Sequence, residues 1–280
     1  MDVNVRISTQ NEVENDSTSK GFTLQLWYNK TTFEITFTYV IFTIAFFGCM
    51  GNLATKVKIV YDPKYHTPTF AAIGQLALAD FLSVTMQTFD NMTNSFGIRS
   101  KTLINTTAVS SFSHLCLLTI VRYLITVHPL QSRQHLTVTA VCLCSLTIWI
   151  YSSVFVAITN YTADTICWIY RQTLYLIVNF FILLIVCSIM TLLHVKKIRT
   201  LQNSLSVTEQ SQRRMNIVVT VIISVFVFYR LSLIAIKIIY FFQFSAELYY
   251  HVRNLEYFYI FMTCINFSCN PYILFFSQFV

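Results

Sequence analysis

The sequence predicts an all-α fold, a bundle of seven transmembrane helices with the N-terminus outside and the C-terminus cytoplasmic. Three observations predict it. First, 55% of the 280 residues are hydrophobic and only 11% are charged, where a soluble domain carries about 25% charged residues. The mean hydropathy is +0.59. Second, the apolar residues gather into seven runs, at about 33–57, 70–89, 98–124, 136–158, 173–195, 217–242 and 255–279. Each run reaches the roughly 20 residues that cross a bilayer as a helix, and helix is required because hydrocarbon offers the backbone no hydrogen-bond partner. Third, the charges sort by side. The connections between runs 1–2, 3–4 and 5–6 carry ten Lys and Arg against two acids; the other side carries eight against nine. The basic side is cytoplasmic by the positive-inside rule. The net charge of +7 therefore belongs to membrane topology and not to nucleic-acid binding.

Taken in order, residues 1–32 are polar and read as a disordered extracellular tail without a cleavable signal peptide. Residues 33–280 form the membrane domain. The third run is the most polar, with Asn105, Thr106, Thr107, Ser110, Ser111, Ser113 and His114, and so belongs at the centre of the bundle. The stretch 196–216 is basic at both ends, which fits continuation of the fifth and sixth helices into the cytoplasm. Neither side has room for a catalytic domain, and no phosphate loop, nucleophile elbow or metal-ligand cluster appears. The chain is not an enzyme on this reading. Asn15, Asn29 and Asn160 begin glycosylation sequons on the assigned outer side. Seven of the eight cysteines fall inside runs, where pairs such as Cys142 and Cys144 suit small core residues.

The polar residues at membrane depth carry the functional signal. Asp80 stands in mid-span, where a carboxylate costs about 2.5–3.5 kcal/mol, so it needs partners. Asn52, Ser111, Asn266 and Asn270 lie at similar depth, and the last two share a helix face by their spacing of four. Such a group can coordinate a small hard cation through oxygen or hold a water network. Pro271 removes a backbone donor and favours a helix kink. Arg230 lies about 24 Å along the sixth helix from its basic end; it reads as a pocket cation, a snorkelling side chain or a partner of Asp90 or Glu256. Gln87, Asp90, Arg230 and Glu256 are the candidates for ligand contacts. Arg122 and Tyr123 close the third run, seven residues before Pro129.

Together these residues resemble the rhodopsin-like (class A) G-protein-coupled receptors over about 36–276. Gly51-Asn52, Leu76-Ala-Leu-Ala-Asp80, Arg122-Tyr123 with Pro129, Trp149 and Asn266-Phe-Ser-Cys-Asn270-Pro271 each look like a family motif, in order and on successive helices. The resemblance implies a multi-pass receptor of the plasma membrane, with a heterotrimeric G-protein and an extracellular ligand as partners. Arg122 and Tyr123 would contact the G-protein. A sodium ion would bind at Asp80, Ser111, Asn266 and Asn270 as an allosteric ligand; no other cofactor is implied. Short loops and a polar third run resemble invertebrate peptide-type or chemosensory receptors, with a peptide preferred to a small molecule. Ile104 stands where amine receptors carry an aspartate, which argues against an amine.

Several positions depart from the family pattern. Val121 replaces the acid before Arg122, which predicts raised basal activity. Leu274 stands where tyrosine is usual. Gly97 leaves Cys167 without the family's disulfide partner, and runs 4 to 6 contain no proline. The alternatives are a decayed or truncated receptor that does not signal, and an ion-coupled transporter using Asp80. The absence of an inverted repeat weighs against the transporter.

Overall fold

The computed structural model describes residues 35–93, 101–165, 209–242 and 249–276, with residue 32 and, between 177 and 200, residues 177, 180–181, 184–185, 187–193, 195–196 and 199–200. Asn15, Asn29, Gly97 and Cys167 lie outside them, as do the side chains of Glu256 and Leu274. The helices are α1 (Ile35–Tyr61), α2 (Pro68–Thr93), α3 (Lys101–Val127), α4 (Val138–Thr165), α5 (the described stretch 187–193 of the fifth run), α6 (Glu209–Phe242) and α7 (Tyr249–Phe276). No strand occurs among the described residues. Of these helices, α1 to α4 are long and apolar enough to cross a membrane, and α6 contains the shorter apolar stretch Thr220–Ile236.

Local chemistry sets the boundaries. His128 precedes Pro129, and a residue before proline is pushed out of the helical region. It sits at φ −125°, ψ 62°, so α3 stops at Val127. Pro129 then opens the seven-residue helix Pro129–His135 from its first turn, where a missing N–H costs nothing. Helix α4 runs seven residues past the predicted end at 158. There the Thr162 hydroxyl donates back to the Ile158 and Thr159 carbonyls. Helix α6 begins at Glu209, eight residues before the apolar run, as its polar continuation predicts.

Two compact units divide the chain at Thr43. In the first, the Thr43 hydroxyl donates to the Tyr39 carbonyl at 2.8 Å. The second, Ile44–Val280, holds the core. Within it α2 packs on α3, α4 and α7, α3 also on α4, and α6 on α7. The core residues surround α3: Phe112, Leu115, Leu118 and Val121 meet Leu76, Val141, Met190, Ile222 and Phe226. The apolar windows of α2 and α3 are 56% and 50% buried, against 22% for α4, so α2 and α3 both lie inside the packing. Four of the α3 hydroxyls are satisfied within the helix. Thr106, Ser113, Thr119 and Thr126 each donate to the carbonyl four residues back, which removes the penalty of a polar group in hydrocarbon.

Helix α4 presents Val141, Ser145, Ser152 and Val156 inward and Leu143, Leu146, Ile150 and Val154 outward. This corrects one expectation: Cys142 and Cys144 are exposed. Cys142 Sγ accepts from Gln75 Nε2 on α2 at 4.0 Å at the exposed edge of that contact, so neither cysteine is a core residue.

Candidate functional site

Asp80 is fully buried, and both its oxygens are engaged. Ser111 on α3 donates its hydroxyl to Oδ1, and Asn270 on α7 donates Nδ2 to Oδ2 at 2.6 Å. Hydrogen bonds to a charged group contribute about 1.5–3 kcal/mol each. Two of them offset the roughly 2.5–3.5 kcal/mol cost of a carboxylate at this depth, and they tie α2, α3 and α7 at one point. A small cavity of about 10 Å3 opens beside them. Ser111, Asn266 and Asn270 line it with Leu76, Phe112, Leu115, Ile222 and Phe226. It has room for about one water or small ion.

The structure redistributes the predicted polar group. Asn270 and Ser111 bond Asp80 directly. Asn266 lines the cavity on the same face of α7, as the spacing of four predicts, without touching the carboxylate. Asn52 does not join the cluster. Its Nδ2 donates to the Phe267 carbonyl at 2.9 Å, while its Oδ1 is buried without a partner among the described residues. Asn52 therefore fastens α1 to α7. Ser268 Oγ to the Ile44 carbonyl (3.3 Å) and the Tyr272 hydroxyl to the Phe47 carbonyl (2.8 Å) do the same. Depth alone could not separate these roles. Pro271 lies inside α7 and is buried against Gly51, where an added Cβ would meet Pro271 Cγ at 3.0 Å.

At the far end of α3, Arg122 has its Nε buried without a hydrogen-bond partner, and no ion pair holds it among the described residues. Val121 beside it is buried in the core, so the position before the arginine supplies packing and no charge. The Tyr123 ring meets the His128 ring edge-on at 6.0 Å. Asp80, Ser111 and Asn270 converge from α2, α3 and α7. The profile of the seven-transmembrane receptors of the rhodopsin family fits residues 51–274.

The chain belongs to that family. Over 127 residues it is 29% identical to human trace amine-associated receptor 9, a stretch that covers 40% of this chain and 36% of that protein. It is 31% identical to human trace amine-associated receptor 8 over 125 residues, with the same coverage. With mouse trace amine-associated receptor 9 it shares 31% over 118 residues, 39% of this chain and 34% of the relative. The aligned stretch spans about a third of the length of these curated relatives. Family membership makes this chain a multi-pass membrane protein of the seven-helix class, and a receptor type rather than an enzyme.

Two features of this rhodopsin-family chain escaped the sequence. Arg230 was expected to snorkel, to meet an anion or to pair with an acid. Instead its guanidinium carbon lies 5.1 Å from the Phe112 ring centre and 5.6 Å from that of Phe226, and those two rings stack at 4.9 Å. A desolvated cation on two aromatic faces gains about 2 kcal/mol or more. Arg230 does not line the cavity beside Asp80, nor do Gln87, which is buried, or Asp90, which is half-buried and has a partner of its own. The three described ligand-contact candidates thus do not line that cavity.

The second feature is His114. Its Nε2 lies 2.7 Å from Ser145 Oγ on α4 and its Nδ1 lies 2.7 Å from the Ser110 carbonyl. Only an N–H can face a carbonyl, so Nδ1 carries the proton and Nε2 accepts from Ser145. Histidine and serine are both buried, and the ring leans on Trp149 at 5.7 Å. The pair ties α3 to α4. The sequon residue Asn160 lies on α4, and its Nδ2 donates to Thr102 Oγ1 on α3 at 3.0 Å.

Proposed function

We propose that this chain is a plasma-membrane receptor that binds an extracellular ligand and activates a heterotrimeric G-protein through Arg122 and Tyr123. The observation that carries the reading is Arg122, a cation at the end of α3 with a buried, unpartnered Nε. An unsatisfied buried group of this kind costs free energy, and a docking partner that offers it an acceptor recovers that cost. Ligand binding need only favour one arrangement of the bundle over another to control access to it. The basic face formed by the connections between α1–α2, α3–α4 and α5–α6 is then the cytoplasmic one. Ile104, on α3, offers no carboxylate to an amine, which supports a peptide ligand over an amine; trace amine association is said of the relatives.

Basal nucleotide exchange on a panel of G-proteins, with the chain in membranes, tests this. Exchange is expected, and Arg122→Ala is expected to abolish it. Exchange that persists in Arg122→Ala would refute the assignment. The missing acid gives a second expected result. Val121→Asp places a carboxylate beside Arg122 and should lower basal exchange several-fold, since a partly buried ion pair of this kind holds the arginine. Unchanged or raised exchange would count against an unlocked resting state.

The Asp80 cluster reads as a sodium site. Asp80, Ser111, Asn266 and Asn270 supply oxygen donors of the kind a hard cation takes, and the cavity beside them has the volume for one ion. A bound cation would stabilise the arrangement in which α2, α3 and α7 converge.

A further inference from the structure

Arg230 carries a charge with no counter-ion among the described residues. Its guanidinium carbon lies 5.1 Å from the Phe112 ring centre and 5.6 Å from that of Phe226, and those rings stack at 4.9 Å. A ring face attracts the charge but offers no lone pair to the five N–H donors. Among the described residues no hydrogen bond or ion pair engages those donors. They are not sealed off either. The buried side-chain atoms left without a partner are Asn52 Oδ1, Arg122 Nε and Ser152 Oγ, and no nitrogen of Arg230 is among them. The two acids of α2 are committed elsewhere: Asp80 to Ser111 and Asn270, Asp90 to a partner of its own. The surroundings are apolar, with Phe112, Phe226, Tyr229 and Leu233 in one buried cluster.

We infer that Arg230 anchors the carboxylate of a ligand, holding it by the free N–H donors while Phe112 and Phe226 hold the guanidinium. The inference rests on the receptor reading above and narrows the ligand to one with a free carboxylate. Charge points to that group. Arginine stays charged in proteins, and an unpaired ion in an apolar site is costly, so one negative charge completes the site. A carboxylate brings one. A phosphate monoester brings about 1.5–2 and leaves the surplus unpaired, and a cationic amine is repelled. Shape points the same way, because the planar guanidinium fork matches the two carboxylate oxygens with two parallel charge-assisted hydrogen bonds. The same two rings line the cavity beside Asp80, so a ligand held at Arg230 acts on a wall of that cavity.

The probes are benzoate, a small carboxylic acid, and N-acetylphenylalanine, which ends as a peptide with a free C-terminus does. Each is titrated into the purified full chain in lipid nanodiscs at constant sodium. The melting temperature is read, since a ligand that binds only the folded chain raises it. At least one carboxylate should raise it saturably, and the tighter of the two tells a peptide terminus from a small acid. Benzamide, N-acetylphenylalaninamide and sodium chloride in place of the carboxylate salt should not. That comparison needs no variant. Arg230→Gln should weaken binding at least on the order of tenfold, because a hydrogen bond to a charged group is worth that much or more. Arg230→Lys, which keeps the charge and loses the fork, should retain a weaker response. Four results overturn the site: no rise with either carboxylate, an equal rise with the amides or chloride, an undiminished rise in Arg230→Gln, or a rise lost in Arg122→Ala instead. No G-protein enters this measurement, so its failure leaves the Arg122-dependent exchange expected above untouched, and failure of that exchange leaves the binding result standing.

Discussion

Gly48→Val is expected to cost the solubilised chain about 3 kcal/mol, the upper end of the range for overpacking a tight interior. A Cβ at Gly48 would sit 2.0 Å from Ser268 Oγ, 2.6 Å from Ser268 Cβ and 3.0 Å from Ser268 Cα. The last atom is backbone, so no rotamer of Ser268 relieves the clash and α1 must move away from α7. That movement also stretches the bonds from Asn52 to the Phe267 carbonyl and from Tyr272 to the Phe47 carbonyl. Thermal unfolding in detergent reads the loss. The pairing is testable by a double-mutant cycle. Ser268→Gly removes the two nearest atoms, so it should recover part of the stability lost in Gly48→Ala while lowering that of the unmodified chain. Additive effects would mean that the two helices do not meet at this point.

Asp80→Asn is expected to abolish any response of the chain to sodium while leaving it folded. The amide keeps the shape of the carboxyl and still accepts from Ser111. Its amino group would face the Asn270 amino group, but rotation of the Asn270 amide by a half turn presents an oxygen instead, so the contact survives as a neutral hydrogen bond. What disappears is the negative charge that a cation needs. The check requires no ligand. A site that binds only the folded chain raises its stability by about 1.4 kcal/mol when sodium is tenfold above its dissociation constant, seen as a higher melting temperature in sodium than in choline. The unmodified chain should show that rise and Asp80→Asn should not. An equal rise in both places sodium elsewhere, and no rise in either removes the site.

Much of this was legible in the residues alone. Hydropathy located α1 to α4 as membrane-length apolar helices, and the polar residues of α3 marked a helix with a buried face. The price of a mid-membrane carboxylate demanded partners for Asp80, and two of the four proposed, Ser111 and Asn270, bond it. Depth and spacing could not distinguish Asn52 and Asn266 from them, because helix rotation decides which amide faces the acid. Arg230 shows a contact that the sequence did not offer, because the stacked rings of Phe112 and Phe226 come from two helices whose contact no local pattern encodes. The same holds for Ser145, 31 residues from the imidazole it bonds. Cys142 and Cys144 are exposed because the inward face of α4 passes through Val141 and Ser145, a register set by packing against α2 and α3.

Helix α6 has 34 residues, a rod of about 51 Å against a hydrocarbon core of about 30 Å. The ring that holds it to α3 is Phe226, stacked on Phe112, so its Glu209 end lies roughly 26 Å beyond that fulcrum. Helix α3 ends at Val127, roughly 22 Å beyond Phe112. Two arms of similar length thus share one aromatic pivot, and a tilt of either by about 10° at the rings would carry its far end sideways by roughly 4 Å.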